Sequence, residues 1–181
     1  MKFETNRLII RPITQSDKID IFNYRSDKET NQFQGWVPDS IENVETFISK
    51  TSTKIDEPHT WFQFVIIQKE IEKIIGDLGI HFFDKENKQV EVGCTLDKNF
   101  HKNGYATEAL ICLINYLFGE LKKHRIITSI DPFNKNSIRL VERLGFRKEA
   151  HFVESIFVNG KWVDDLIYAL IEKDWQNSNF V

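Results

Sequence analysis

The chain of 181 residues is poor in cysteine, with only Cys94 and Cys112. Two thiols in apolar, periodic surroundings read as buried side chains, not as a disulfide framework. Metal-ligand spacing is also missing. His59, His81, His101, His124 and His151 form no H-E-x-x-H, and no C-x-x-C occurs, so no metal site is expected. There is no run of the roughly 18 apolar residues that a membrane helix needs. The opening Met1-Lys2-Phe3-Glu4 lacks the apolar stretch of a signal peptide. A basic excess is absent too: the net charge is -3 and the pI about 6.0. That balance argues against nucleic acid as a partner. No repeat, low-complexity tract or linker breaks the chain, so residues 1–181 are expected to form a single domain in a reducing cytoplasm.

What is present is a core. The hydrophobic fraction is 41%, with fifteen Phe and four Trp, far too apolar for a disordered chain. Leu8–Arg11 reads as a strand stopped by Pro12. A helix is expected over Thr14–Arg25, capped by Ser16, and a second from Ser40 to about Lys54. Phe62–Gln68 and Ile74–Phe83 are β-rich runs joined by a charged turn, which predicts an antiparallel hairpin. Val90–Leu96 is a further strand. From Gly104 to Glu120, Ala106, Ala109, Leu110, Leu113, Ile114 and Leu117 recur at i, i+3, i+4, the mark of one buried helix face. Arg125–Ile130 is a strand ended by Pro132. Ser137–Leu144 is a helix stopped by Gly145. Phe152–Val158 and Trp162–Ile171 flank Asn159-Gly160, a strong hairpin signal. The order β-α-α-β-β-β-α-β-α-β-β implies a mixed α/β architecture. A strand–helix–strand crossover gives one parallel pair, and hairpins flank it.

Chemistry is concentrated where the strand Val90–Leu96 ends and the strong helix begins. The segment His101-Lys102-Asn103-Gly104-Tyr105-Ala106-Thr107 brings an accessible backbone to a helix start. Unpaired N–H groups there, with the helix dipole behind them, favour an anion such as a pyrophosphate, and Lys102 adds charge. The plainer alternative is that Asn103 caps the helix and Gly104 eases the turn.

His101-x-x-Gly104-x-Ala106 resembles the acetyl-CoA motif of GNAT acetyltransferases, Gln/Arg-x-x-Gly-x-Gly/Ala, with His in the first place. Gly104-Tyr105-Ala106-Thr107-Glu108-Ala109 is similar to the form found in the branch that acetylates ribosomal-protein N-termini. Asn134-Lys135-Asn136-Ser137 and Leu144-Gly145-Phe146 resemble a second family element. Thr5-Asn6-Arg7-Leu8 and Val158-Asn159-Gly160-Lys161-Trp162 also fit the branch.

The resemblance implies the GNAT fold, a central, mostly antiparallel sheet with a splayed parallel pair and helices on both faces. It implies acetyl-CoA as cofactor and an amine as acceptor, either a protein N-terminus or a small amine such as a polyamine or aminoglycoside. A homodimer is compatible with it. On the same resemblance, the backbone of Cys94, Thr95 and Leu96 pairs with the pantetheine arm. His101 and the loop Lys102, Asn103, Gly104, Tyr105, Ala106 and Thr107 hold the pyrophosphate, and Asn134 and Asn136 touch the cofactor from the other wall. Phe33 and Trp36 lie in the region that walls the acceptor site, although ordinary aromatic packing would also explain them.

Glu91 stands in an apolar strand. It is either a solvent-facing charge or the general base for the amine. Gly93 suggests a β-bulge that frees an N–H for the thioester oxygen, or a close approach of two backbones. Cys94 could carry acetyl, but a buried small hydrophobe is the simpler reading. Glu42, Glu45, Asp164 and Asp165 could attract a cation or only solvate the surface. One of the paired aspartates could face inward.

Where many relatives place a tyrosine, four residues beyond the motif serine, this chain has Val141. Ser137 remains as a hydroxyl that could assist the leaving thiolate or cap its helix. An α-amine titrates near about 7.7–8.0 and needs only a modest base, whereas a lysine amine sits near about 10.4. The alternative class is a non-catalytic CoA-binding module, motivated by His101 and the absent tyrosine.

Overall fold

A computed structural model describes residues 1–158, 160–178 and 180. The sheet holds eight strands: β1 (Phe3–Glu4), β2 (Leu8–Pro12), β3 (Thr60–Gln68), β4 (Lys73–Phe82), β5 (Gln89–Leu96), β6 (Arg125–Ile130), β7 (Arg147–Val158) and β8 (Lys161–Ile171). Their spatial order is β1-β2-β3-β4-β5-β6-β8-β7. Every neighbouring pair is antiparallel except β5–β6. The helices are α1 (Lys18–Arg25), α2 (Ile41–Lys50), α3 (Tyr105–Gly119), α4 (Lys135–Arg143) and α5 (Glu172–Gln176).

Each face of the sheet has its own apolar cluster. Phe64, Ile80, Val90, Val92 and Ile126 pack with Leu113, Ile114 and Leu117 of α3 and Val141 of α4. The other face holds a smaller cluster, in which Ile21, Tyr24, Val44 and Ile48 of α1 and α2 cover Val65 and Ile74. Strand alternation sorts the residues. Val90 and Val92 are fully or almost fully buried, while Glu91 between them points to the α1–α2 side. Asp77 on that side is 1% exposed. It accepts from Arg25 Nε (2.8 Å), Tyr24 Oη (2.5 Å) and Gln63 Nε2 (2.5 Å), so the buried charge is both paired and hydrogen-bonded.

Several boundaries differ from expectation, for local reasons. Pro12 is the last residue of its strand, not its stop. The first helix starts as a 3-10 turn, Gln15–Asp17. There Asp17 Oδ2 accepts from the Thr14 amide (2.7 Å) and hydroxyl (2.9 Å), so Ser16 is not the cap. Ser40 does cap α2, accepting from the Asn43 amide at 3.3 Å. That helix ends at Lys50 because Thr51 is extended. The chain also carries β1 and α5, which the apolar pattern did not mark. β7 begins at Arg147, five residues before the expected start. Asn159 lies outside the described residues, but Val158 pairs with Lys161 across the expected turn.

Helix α4 brings the most useful correction. It begins at Lys135, and its cap is Asn134, whose Oδ1 accepts from the Ser137 amide at 3.1 Å. Ser137 sits one turn in and does not cap with its hydroxyl. Asn134→Ala is therefore expected to cost about 1 kcal/mol, and Ser137→Ala much less. Thermal melts of the two variants check the difference, since about 1 kcal/mol moves Tm by about 2–4 °C in a chain of this size.

Candidate active site

The parallel pair forks. Gln89, Val90 and Glu91 pair with Arg125, Ile126 and Ile127, and beyond Glu91 the two strands are no longer partners. The opposite edge of β5 stays in continuous register with β4, from His81↔Glu91 to Gly76↔Leu96. Gly93 is thus not a bulge in that ladder. The amide of Asp97 donates to the Ile75 carbonyl (2.8 Å). Bonded and non-bonded pairs alternate in an antiparallel ladder. Glu91, Gly93 and Thr95 therefore turn their backbone groups to β4, and Val92, Cys94 and Leu96 turn theirs into the fork. A donor for a thioester oxygen has to come from these even-numbered residues, not from Gly93.

A cleft of about 1420 Å³ opens beside the fork, lined by Cys94, Thr95, Leu96, the 101–108 loop and helix start, and Asn134, Asn136 and Ser137. A second cavity of about 100 Å³ lies in the fork itself, between Val92–Cys94 and Thr128–Ile130, with Phe33 and Ser137 also on its wall. Gly104 precedes α3 with φ +80, the left-handed region that suits glycine. No side chain caps the helix, so the first-turn amides of Tyr105, Ala106 and Thr107 are left for a ligand. Asn103 is not the cap; its Nδ2 donates to the His101 carbonyl (3.1 Å). His101 Nε2 lies 2.9 Å from the Leu96 carbonyl, across the loop. Arg143 Nη2 donates to Thr107 Oγ1 (3.0 Å), joining the end of α4 to the start of α3.

Arg7 holds this loop in place, a role the sequence motif does not display. Its Nη1 donates to the Asn103 carbonyl (2.9 Å) and its Nε to Glu108 Oε2 (2.7 Å). The guanidinium also lies 4.4 Å from the centre of the Tyr105 ring. Glu108 receives the Thr5 hydroxyl and the Arg7 amide as well. Burial alone would raise its pKa, but Thr5 and Arg7 hold it below the usual carboxylate value.

Glu91 sits at the last paired position before the fork, half-buried. Burial raises its pKa. Neighbouring His81, with Nδ1 3.6 Å away, opposes that rise, and the charge of Asp165 adds to it. Asp165 is buried and accepts from Ser129 Oγ (2.7 Å), so it is the inward member of the aspartate pair. Asp164 faces outward, held by His151 at 2.6 Å and by the Glu154 amide. Glu45 pairs with Lys18. Burial, then the charge of Asp77, pushes the Cys94 thiol up to about 12. A thiol protonated at neutral pH is a poor acetyl carrier. Phe33 reaches the cleft. Trp36 does not line it: its ring stacks on Phe47 at 4.5 Å and packs under α2. Among the described residues, no group of three or more His, Cys, Asp or Glu could hold a metal, and no helix is long and apolar enough to cross a membrane.

A forked parallel pair beside an uncapped, glycine-led helix start suits an elongated anionic ligand. Residues 7–147 match the acetyltransferase (GNAT) domain, and the chain belongs to that family. It is an N-acetyltransferase that uses acetyl-CoA. It is 28% identical over 178 residues to the uncharacterized N-acetyltransferase YnaD of Bacillus subtilis, covering 97% of this chain and 99% of that one. Over 181 residues it is 25% identical to the ribosomal protein uS5-alanine N-acetyltransferase of Escherichia coli, covering 97% and 93%. The crystal structure of a GNAT-family acetyltransferase from Bacillus anthracis superposes with a TM-score of 0.85 at 27% identity, covering 96% and 99%.

Proposed function

We propose that the chain acetylates a protein or peptide N-terminal α-amine by direct attack on the thioester, with Glu91 as the base. The observation that carries this reading is the position of Glu91 at the fork, as the last paired residue of β5, on the α1–α2 face of the sheet. The residues present suit acetyl-CoA: a roomy cleft, free first-turn amides at Tyr105–Thr107, and backbone groups of β5 turned into the gap. When bound, the thioester supplies the activated acetyl group. The chain's own residues do the rest. Gly104–Thr107 take the pyrophosphate, with Lys102 and His101 beside them, and Asn136 lies on the opposite wall. The backbone groups of Cys94 and the Leu96 amide, turned into the fork, would align the pantetheine arm, and Phe33 borders the acceptor's approach. Positioning of this kind contributes much of the rate. The acceptor proton passes to a Glu91 carboxylate oxygen. An α-amine, partly neutral at pH 7, needs no stronger base. Two free cysteines suit a reducing cytoplasm.

Ser137 lines both the cleft and the fork, and we assign its hydroxyl a hydrogen bond to the leaving thiolate. Ser137→Ala is expected to lower kcat about tenfold while leaving the KM for acetyl-CoA within about twofold, because one hydrogen bond to a charged atom is worth about 1.5–3 kcal/mol. A wild-type kcat would remove Ser137 from the mechanism. The acceptor class is tested by thiol release from acetyl-CoA across peptides with free Ala or Ser N-termini, spermidine, and an aminoglycoside. Turnover confined to the small amines would overturn the N-terminal reading. CoA binding with no turnover on any amine would return the chain to a binding module.

A further inference from the structure

On the α1–α2 face of the sheet, three residues from three adjacent strands stand in one row. Trp61 of β3 pairs in register with His81 of β4, and His81 pairs with Glu91 of β5. All three side chains therefore leave the same face, next to the fork. The Trp61 and His81 rings lie 4.5 Å apart and 5° from parallel. Trp61 is 43% exposed, so part of the ring is open to a ligand. Its bed is Gly79, where an added Cβ would stand 3.4 Å from Trp61 Cζ3 and 2.9 Å from Gln63 Oε1. A side chain there would lift the indole off the sheet. Helices α1 and α2 cover Val65 and Ile74 farther along this face. Across the fork, Ser129 and Asp165 stand on the same face. The corner thus joins an exposed indole, an imidazole and a half-buried carboxylate, with a second carboxylate beyond.

An indole ring and a carboxylate are two elements that attract an organic ammonium, and the register sets both on one face with His81 between them. We propose that Trp61 and Glu91 form the binding corner for the acceptor in its protonated form, and that His81 is the positioning residue that sets both. The indole receives the ammonium and its adjoining methylene or methine groups. Glu91 neutralises the charge and, at the fork, takes the proton that must leave before nitrogen can attack. His81, stacked against the indole and with Nδ1 3.6 Å from Glu91 Oε2, links the two side chains. This deepens the amine-acceptor reading and rests on it only for the identity of the bound group.

The test separates binding from turnover. The Trp61 indole N–H resonance, assigned by its loss in Trp61→Phe, is followed while butylammonium chloride is added to the CoA-bound protein at constant ionic strength. Butanol serves as the neutral control. Saturable movement with butylammonium and none with butanol is the expected result. Glu91→Gln should weaken it about fivefold or more, and His81→Ala should weaken it while leaving the melting temperature close to wild type. No movement, or equal movement with butanol, overturns the corner. In turnover, Trp61→Leu should raise the acceptor KM about fivefold with the KM for acetyl-CoA unchanged, and Trp61→Phe should keep most of the affinity. An acceptor KM unchanged in Trp61→Leu also overturns it. Butylammonium binding without acetylation of any peptide N-terminus would leave the corner standing and remove the N-terminal reading. Peptide acetylation without butylammonium binding would do the reverse.

Discussion

Glu91→Gln is expected to lower kcat by about a hundredfold or more, the usual worth of a placed general base, with little change in acetyl-CoA affinity. The pH dependence follows from the raised pKa. Glu91 accepts a proton only when ionised, so wild-type activity rises as pH climbs through its pKa. Burial, with the nearby charge of Asp165, moves that limb upward from the ordinary carboxylate value, while His81 pulls the other way. The Gln variant should lack the limb. The effect on stability has the opposite sense. A carboxyl whose pKa is raised by folding binds its proton more tightly in the folded chain. Stability therefore falls as pH rises from the unfolded value through the folded one. At neutral pH, Glu91→Gln should melt no lower than wild type. Rate profiles from acid to neutral pH and melts at pH 7 check both statements. A wild-type acid limb in the variant would return Glu91 to the role of a surface charge.

Gly104→Val should cost more than a hundredfold in acetyl-CoA affinity, measured by calorimetry. Losing two hydrogen bonds from backbone amides to a charged phosphate is worth about 3 kcal/mol or more. The structure separates two causes. An added Cβ has room, since its only close neighbour is Arg7 Nη2 at 3.4 Å. A β-branched residue at φ +80 is nevertheless strained, by about 1–2 kcal/mol. Gly104→Asn is the control, because asparagine tolerates the left-handed region. It should fold nearly as well as wild type and still obstruct the phosphates. Unchanged affinity in both variants would move the pyrophosphate elsewhere.

Features that repeat along the chain were legible in the sequence. The stripe Ala109–Leu110–Leu113–Ile114–Leu117 marks α3 because its burial recurs with the helical period. Gly104 marks the start of that helix because one residue type suits a left-handed turn. Features set by pairing were not legible. The Trp61–His81–Glu91 row joins residues far apart in sequence through two strand registers, and no local pattern reports a register. Asn134, Asn136 and Ser137 are all plausible caps by type, and only the backbone shows which one accepts. Trp36 looks like a site residue in a loop, yet its apolar ring finds Phe47 in the last turn of the next helix. The early part of β7 escaped because Arg147–His151 runs along the sheet's outer edge and has little apolar face to show.

The Arg7 tie has a meaning for the order in which the molecule assembles. Arg7 and Glu108 are 101 positions apart, and Arg7 reaches the Asn103 carbonyl across 96. Helix α3 can form from its own sequence. The turn ahead of it, with Lys102 and Gly104 both at positive φ, gains its Arg7 anchor when the segment leading into β2 docks alongside. Closing so long a loop is slow and entropically costly. The amides proposed to meet the cofactor therefore take their places late, after the N-terminal segment has met the middle of the chain. A chain can be compact and helical and still lack its phosphate cradle.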